Sequence, residues 1–360
     1  MRTVAIKIDV DTFTGLKKGV PALLELLEDF NIKATFFVSM GPDNSGKAIL
    51  NIFRQPGFLK KMIKTKAPKM YGIRTILSGT LLPAPIISEK GKEILIAIRN
   101  KGHEIGIHGW DHRLWQDHLD DLDRGMIKRQ FFLANKNFEQ ILGEKPCFYG
   151  APAWRINELS LSVQDELHPL FASDTRGNSP FFPLFKGKKF STIQIPTTTY
   201  CLEELINLNK NPDDILLELK EDKLNVLPVH AEVEGGVYLN WFNKFLKKII
   251  DKGYKFKMMS EFREGKNPNK RGEDSPLSWA FFLCSTRSRI KINIGLFFMI
   301  IYKVEELTIV TDKDIEKVIN HWVKQGWSLD GIHFVTKEGM HRPTMAFILF
   351  IKEEKEAVED

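Results

Sequence analysis

Apolar runs of strand length alternate with amphipathic runs of helix length along most of this chain. Residues 3–10 are β-branched and apolar on both faces until they end in acid, the pattern of a strand buried on both sides. Val20-Pro21 opens a helix through Phe30, with Leu23, Leu24, Leu26 and Leu27 apolar and a proline in its first turn. Residues 34–39 form the next strand, 88–100 a helix stopped by Lys101-Gly102, and 103–108 a third strand. A long helix over 123–142 follows, then strands at 148–151, 170–173, 192–195, 225–230 and 255–258. Helices at 213–220 and 239–252 lie between the later strands. Strands that alternate with helices mean βαβ units and a mostly parallel sheet or barrel, so the expected class is α/β.

The rhythm breaks after Phe262. Residues 263–276 are polar and rich in glycine and proline, and 263–296 reads as a linker. From residue 297 a small α+β module is expected: a strand, a helix over 312–325 capped by Thr311, a strand over 328–335 and a strand over 344–352. It contains scattered His321, His333 and His341 but no clustered ligands. Domains are therefore expected at 1–262 and 297–360.

With 360 residues, 43% hydrophobic content and a net charge of +6, the chain has room for a large core and no global bias toward nucleic acid. Cys147, Cys201 and Cys284 make no CxxC and no pairable spacing, which argues for a reducing compartment and against a thiolate zinc site. The strand pattern starts by Thr3 and leaves no room for a signal peptide. The apolar runs 279–284 and 292–302 are too short to span a bilayer and are separated by cations. A cytoplasmic location is expected.

Three fragments carry the chemistry: Asp9-Val10-Asp11, His108-Gly109-Trp110-Asp111-His112, and Leu227-Pro228-Val229-His230. Each sits at the end of an apolar run, and in a parallel α/β fold such ends converge on one face. Asp9 and Asp11, two apart on a strand, share a face. His108 and His112, spaced i, i+4, would share one side of a helical turn. Two imidazoles and a carboxylate make a candidate site for Zn²⁺ or another divalent transition metal, with the second carboxylate left as a base. The spacing does not say which aspartate takes which role. His230 would supply the proton to a leaving amine. His103, after Lys101-Gly102, is read as structural.

The order D-x-D, H-x-x-x-H, a W-R segment, an S-D segment and a late L-x-x-H resembles the five motifs of the polysaccharide deacetylase (NodB-homology) superfamily. The likeness covers roughly residues 1–262 and is spread over many segments, including GHEIGIHGWDHRLWQD, APAWR, TIQIPTTT and HAEVEGG. It is nearest to the branch that deformylates undecaprenyl-phosphate-linked 4-deoxy-4-formamido-L-arabinose. That resemblance implies a distorted (β/α) barrel, a divalent metal (Zn, or Mn, Co or Ni) and amide hydrolysis. It implies Asp9 as general base, Asp11, His108 and His112 as metal ligands, and His230 as general acid. Arg155 would orient the base and Asp174 would support the site. Trp154, Glu232 and Glu234 are candidate substrate contacts, with a solvated loop the alternative for the two glutamates. The sequence departs from the general family in Val10-Asp11 where Asp-Gly is usual, in Gly109, and in an arginine that follows Trp154.

Residues 44–88 contain no acid but eight cations, and form a basic insert between the second strand and the helix at 88. Within it Phe58, Leu59, Met62 and Ile63 supply apolar mass beside Lys60, Lys61 and Lys64. A basic amphipathic segment of this kind reads as an interfacial element against an anionic membrane, each cation worth about 1 kcal/mol. The expected partners are a polyprenyl-phosphate-linked sugar and the inner face of the cell membrane. Nucleic acid is not expected, because no stacking platform or recognisable fold accompanies the charge.

Overall fold

The strand β1 (Thr3–Val10) is buried along its whole length, as its unbroken apolar run requires. In the computed structural model the described residues are 2–47, 78–80, 82–185, 187–263, 274–276, 298–307, 310–335 and 345–355. The segment from Phe58 to Lys64 lies outside them. The chain divides into two compact units, Met1–Arg287 and Ser288–Asp360.

The first unit is α/β. Its sheet holds β1, β2 (Thr35–Val38), β3 (Glu104–Ile107), β4 (Phe148–Tyr149), β5 (Phe171–Ala172), β8 (Val226–His230) and β9 (Lys255–Lys257). The order is β5-β4-β3-β2-β1-β8, with β9 also on β1, and every pairing is parallel. Side chains on a strand alternate between faces. Val4, Ile6, Ile8 and Val10 therefore pack outward into the main apolar cluster, while Ala5 joins an inner one with Phe37, Phe171, Val226 and Met259. Lys7 and Asp9 continue the inner face toward the C-terminal end of the strand.

Helices cover the outer face. Those that matter here are α1 (Val20–Asp29), α2 (Lys92–Asn100), α3 (His112–His118), α4 (Arg124–Leu142), α5 (Glu158–Asp165), α6 (Leu202–Asn207) and α7 (Leu239–Asp251). On α7, Phe242, Phe245, Leu246 and Ile249 are buried at i, i+3, i+4 and i+7. Each such side chain contributes about 1.5–3 kcal/mol on burial. Helix α4 starts at Asp123, whose carboxylate accepts from Met126 N at 2.7 Å. It stops at Gly143, where φ reaches 73° and the chain turns left-handed.

The expected strand over 192–195 does not form. Its backbone instead bridges the gap between β5 and β8. Ala172 N donates to Ile193 O at 2.9 Å, Ile195 N to Ala172 O at 2.8 Å, and Thr198 N to Val226 O at 3.1 Å. Pro196 has no N–H to continue a ladder, so the closure is irregular and the barrel distorted. Helices α3, α5 and α6 arise where no helix was expected, each being short and only partly apolar. A small sheet joins β6 (Phe182–Phe185) to β7 (Lys188–Lys189) and to β10 (Asp274–Pro276), so part of the stretch read as linker pairs within the first unit.

The second unit is the expected βαββ module. Strand β13 (Met345–Lys355) lies antiparallel between β11 (Phe298–Leu307) and β12 (Ser328–Val335). Helix α8 (Asp312–Lys324) is capped by Thr311, whose hydroxyl accepts from Asp314 N at 3.2 Å. Among its described residues no group of His, Cys, Asp and Glu is placed to hold a metal.

His103 serves the fold. Its Nδ1 accepts from Ala34 N at 3.1 Å, and its ring meets Phe36 edge-on at 5.3 Å. Burial, helped by Lys33 and Lys101, lowers its pKa from 6.5 to about 4. The unfolded chain therefore binds a proton that the folded chain refuses. Stability is full above 6.5 and declines as pH falls toward 4. Melting temperature followed against pH should drop across that window, and less steeply in His103→Gln; parallel curves would contradict this.

Candidate active site

The C-terminal ends of β1, β3 and β8 bring five of the expected residues together. Asp9 and His230 are register partners on adjacent β1 and β8. Asp11 lies just past β1, with its carboxylate oxygens 3.3 Å from His108 Nε2 and 3.5 Å from His112 Nε2. Asp9 Oδ1 is 3.8 Å from His108 Nδ1. Both aspartates thus approach the same imidazole, His108.

The two histidines reach it differently from expectation. They do not share a helical turn. His108 follows β3, Gly109 turns the chain at φ 79°, and His112 opens α3. A side chain at position 109 would be strained there, which accounts for the glycine. The N-cap of α3 is Asp111, which accepts from Leu114 N at 3.0 Å and from Asn44 Nδ2 at 2.7 Å. This cap fixes the approach of His112.

The His108 tautomer is set by its neighbour. Nδ1 lies 2.8 Å from Gly150 O, and a carbonyl only accepts, so Nδ1 carries the proton. That leaves the Nε2 lone pair toward Asp11, the arrangement of a metal-ligating imidazole. Burial lowers the His112 pKa to about 4, keeping it neutral. Burial alone would raise Asp11, but His112 and His108 hold it well below the usual carboxylate range. The Asp11 carboxylate and the two imidazoles lie with their donor atoms within 4.8 Å of one another. Among the described residues, Asp11 Oδ1 and Asp9 Oδ1 are buried without a hydrogen-bond partner. Such orphaned oxygens beside two imidazole lone pairs fit a divalent cation.

Asp9 is buried and held by Lys7, not by Arg155. Lys7 Nζ is 2.5 Å from Asp9 Oδ2, and the lysine side chain is fully buried. Its Nζ also lies 5.2 Å from the Phe37 ring and 5.6 Å from the Trp154 ring. The two-residue strand period puts Lys7 on the same inner face, so it reaches Asp9 without crossing the sheet. Arg155 points elsewhere: it donates to Gln116 O at 2.8 Å and pairs with Asp120, tying the turn at 152–155 to α3 and the segment after it. Trp154, half-buried, also stacks 4.0 Å from the Arg176 guanidinium. Asp174 is buried behind the same turn, accepting from Ala151 N at 2.7 Å and Gln194 Nε2 at 3.0 Å. Burial raises its pKa.

Glu232 and Glu234 are neither a solvated loop nor exposed sugar contacts. Glu232 is 5% exposed and Glu234 2%. Glu232 Oε1 accepts from Asp11 N at 3.1 Å, Thr12 N at 2.7 Å and Thr12 Oγ1 at 2.7 Å, bracing the turn that carries Asp11. Glu234 Oε2 accepts from His230 N at 2.9 Å. Burial, with Asp11 for the first and Glu203 for the second, lifts both to about 8. Close contact of the two turns leaves no space at Gly19, where a Cβ would sit 1.8 Å from Ala231 O.

His230 has its own carboxylate partner, which the motifs did not include. Its Nδ1 lies 3.0 Å from Glu203 Oε1, an ion-pair distance, with the ring angled off hydrogen-bond geometry. Burial opposes the charged ring, but Glu203 together with Asp11 and Asp9 raises its pKa well above 6.5. Lys7 was visible as a cation inside a buried strand two residues before Asp9. Glu203 comes from a separate short helix, and no spacing pointed to it.

A parallel α/β unit gathers a carboxylate and two imidazoles at its strand ends, a candidate site for a metal ion. The polysaccharide deacetylase family model matches residues 2–168. A protein from Shewanella sediminis named as a probable 4-deoxy-4-formamido-L-arabinose-phosphoundecaprenol deformylase is 36% identical over 265 residues, covering 72% of this chain and 85% of that one. One of the same name from Wigglesworthia glossinidia brevipalpis is 34% identical over 254 residues, covering 67% and 86%. Among solved structures, Puue allantoinase superposes with a TM-score of 0.51 at 14% identity, over 74% of this chain and 92% of that one. The chain belongs to the polysaccharide deacetylase family, hydrolases of amide carbon–nitrogen bonds.

Removing Lys7 would leave Asp9 as a buried, unpaired charge, a change that costs about 3–5 kcal/mol. Urea denaturation of Lys7→Met should show a loss of that order, partly recovered in Lys7→Met/Asp9→Asn. Equal losses in the single and double variants would contradict the pairing.

Proposed function

We propose that this protein is a metal-dependent deformylase that removes the formyl group from undecaprenyl-phosphate-linked 4-deoxy-4-formamido-L-arabinose, in cell-envelope aminosugar modification. The observation that carries the reading is the convergence of Asp9, the Asp11–His108–His112 triad and His230 on one pocket. The two relatives named for that deformylation, at 36% and 34% identity, supply the substrate.

Asp11, His108 and His112 would hold the divalent cation, which supplies Lewis acidity to the amide carbonyl. Asp9, held against Lys7, takes a proton from the attacking water as its oxygen bonds to the formyl carbon. His230, kept charged by its carboxylate neighbours, gives a proton to the departing nitrogen as the carbon–nitrogen bond breaks. Water and formamide thus become formate and a protonated amine. Asp174 and Arg155 act by fixing the 151–155 turn, whose Trp154 lies beside Lys7, and Glu232 and Glu234 act by fixing the turns that carry Asp11 and His230.

On this reading the enzyme works at the cytoplasmic face of the membrane, where it would meet a lipid-linked substrate. No helix among the described residues is long and apolar enough to cross a membrane. The basic insert, with Phe58 to Lys64 outside the described residues, is the proposed contact with anionic lipid.

Release of formate from the lipid-linked formamido-pentose tests the reading. Wild type with added Zn²⁺ or Mn²⁺ should release formate, and His108→Ala, Asp9→Asn and chelated enzyme should not. Release of acetate from the acetamido analogue, with none from the formamide, would replace it by a deacetylase. Because the His230 pKa is raised and its proton is required, the rate should hold through neutral pH and fall on the alkaline side. His230→Gln should be slow at every pH, and a wild-type rate that kept rising with alkalinity would rule His230 out as the acid.

A further inference from the structure

Two adjacent glutamates open α6, and they do different work. Glu204 caps the helix: its Oε2 accepts from Cys201 N at 2.9 Å and pairs with Arg176 at 2.7 Å. Glu203 is not needed for that. Its Oε1 is 3.0 Å from His230 Nδ1, its side chain is only 17% exposed, and its Oε2 is buried without a hydrogen-bond partner among the described residues. A half-buried carboxylate turned toward an imidazole, in a helix already capped by its neighbour, serves the imidazole.

Cys201 Sγ also lies within 4.8 Å of these two groups, which raises the alternative of a second metal site. Its geometry argues against that. The sulfur is used as N-cap acceptor for the Glu204 backbone, and burial raises the thiol well above its usual pKa, so it stays protonated.

We propose that Glu203 is the positioning residue of the acid, holding the Nδ1 edge of His230 so that Nε2 is turned away from α6 and toward the scissile amide. A ring drawn to a carboxylate at its Nδ1 edge turns Nε2 the other way, and Nε2 is then the atom that presents the proton. Other titratable groups near the ring are Asp9 on β1, Asp11 just past it, His112 of α3, and Glu232 and Glu234 from the turn after β8. None of these has a side-chain atom placed at Nδ1. The inference deepens the deformylase reading and rests on His230 being its acid.

The test combines kinetics with a readout that needs no substrate. Glu203→Gln keeps the shape and removes the charge; kcat for formate release should fall about 10- to 100-fold at unchanged KM, with Glu203→Asp recovering part. In a His230→Gln background the same substitution should have no further effect, because the two act as a unit. Independent multiplication of the losses, or Glu203→Gln within twofold of wild type, would overturn the proposal. Histidine-¹⁵N spectra of the same proteins give the second arm. Glu203→Gln should shift the His230 ring signals and leave those of His103 and His118 in place; unmoved His230 signals would overturn the proposal. If wild type releases no formate, the deformylase reading fails, and the spectra still decide whether Glu203 holds His230.

Discussion

The ion pair of Lys7 and Asp9, buried on the inner face of β1, is the constraint on which the site depends. A carboxylate taken out of water at the centre of a parallel sheet is costly, and a cation at contact distance offsets that cost only if it is fixed there. Strand geometry fixes it. Lys7 is two residues upstream on the same face, its stem packed in the sheet interior and its ammonium set between Asp9 and two aromatic rings. Asp9 therefore stays where it is with or without substrate, and its free oxygen faces the pocket beside His108.

The remaining charges follow the same logic. Asp11 lies one step beyond the strand, where the ladder ends, and Glu232 receives the backbone N–H groups that the ladder no longer pairs. Glu234 does the same for His230 on β8. Among the described residues one buried oxygen each of Asp9 and Asp11 has no hydrogen-bond partner, which concentrates unsatisfied acceptors in a small volume. A divalent cation and a cationic His230 are what the surrounding groups call for. The pocket is stable as an arrangement because the sheet around it is deeply apolar, from Ala5, Phe37 and Phe171 on the inner face to Phe242 and Phe245 on α7.

Much of this was legible in the sequence where one period ruled one segment. The strand at β1, the helices α1, α4 and α7, and the cap at Thr311 follow from alternation, leucine spacing and end signals. The pairing of two imidazoles with a carboxylate followed from residue types at strand ends, and the choice of Asp11 over Asp9 came from the family resemblance. The irregular parts were not legible. The bridge over 192–198 looks like a strand because Ile193 and Ile195 alternate, but Pro196 and the closure geometry decide otherwise. His108 and His112 have helical spacing, yet a left-handed Gly109 separates them. Arg155 was placed by likeness to a motif whose surroundings differ here: Lys7 already occupies the position beside the base, and the arginine satisfies Asp120 instead. Glu203 meets His230 only through the folding of α6 against β8, a contact with no sequence spacing.

The account stands on Asp11, His108 and His112 forming one cation site. Anomalous diffraction from crystals grown with Zn²⁺, recorded on both sides of the zinc edge, tests it directly. The expected result is a peak ligated by the Asp11 carboxylate and by Nε2 of both histidines. A zinc peak elsewhere in the first unit, or none while the three side chains keep their present positions, would contradict it.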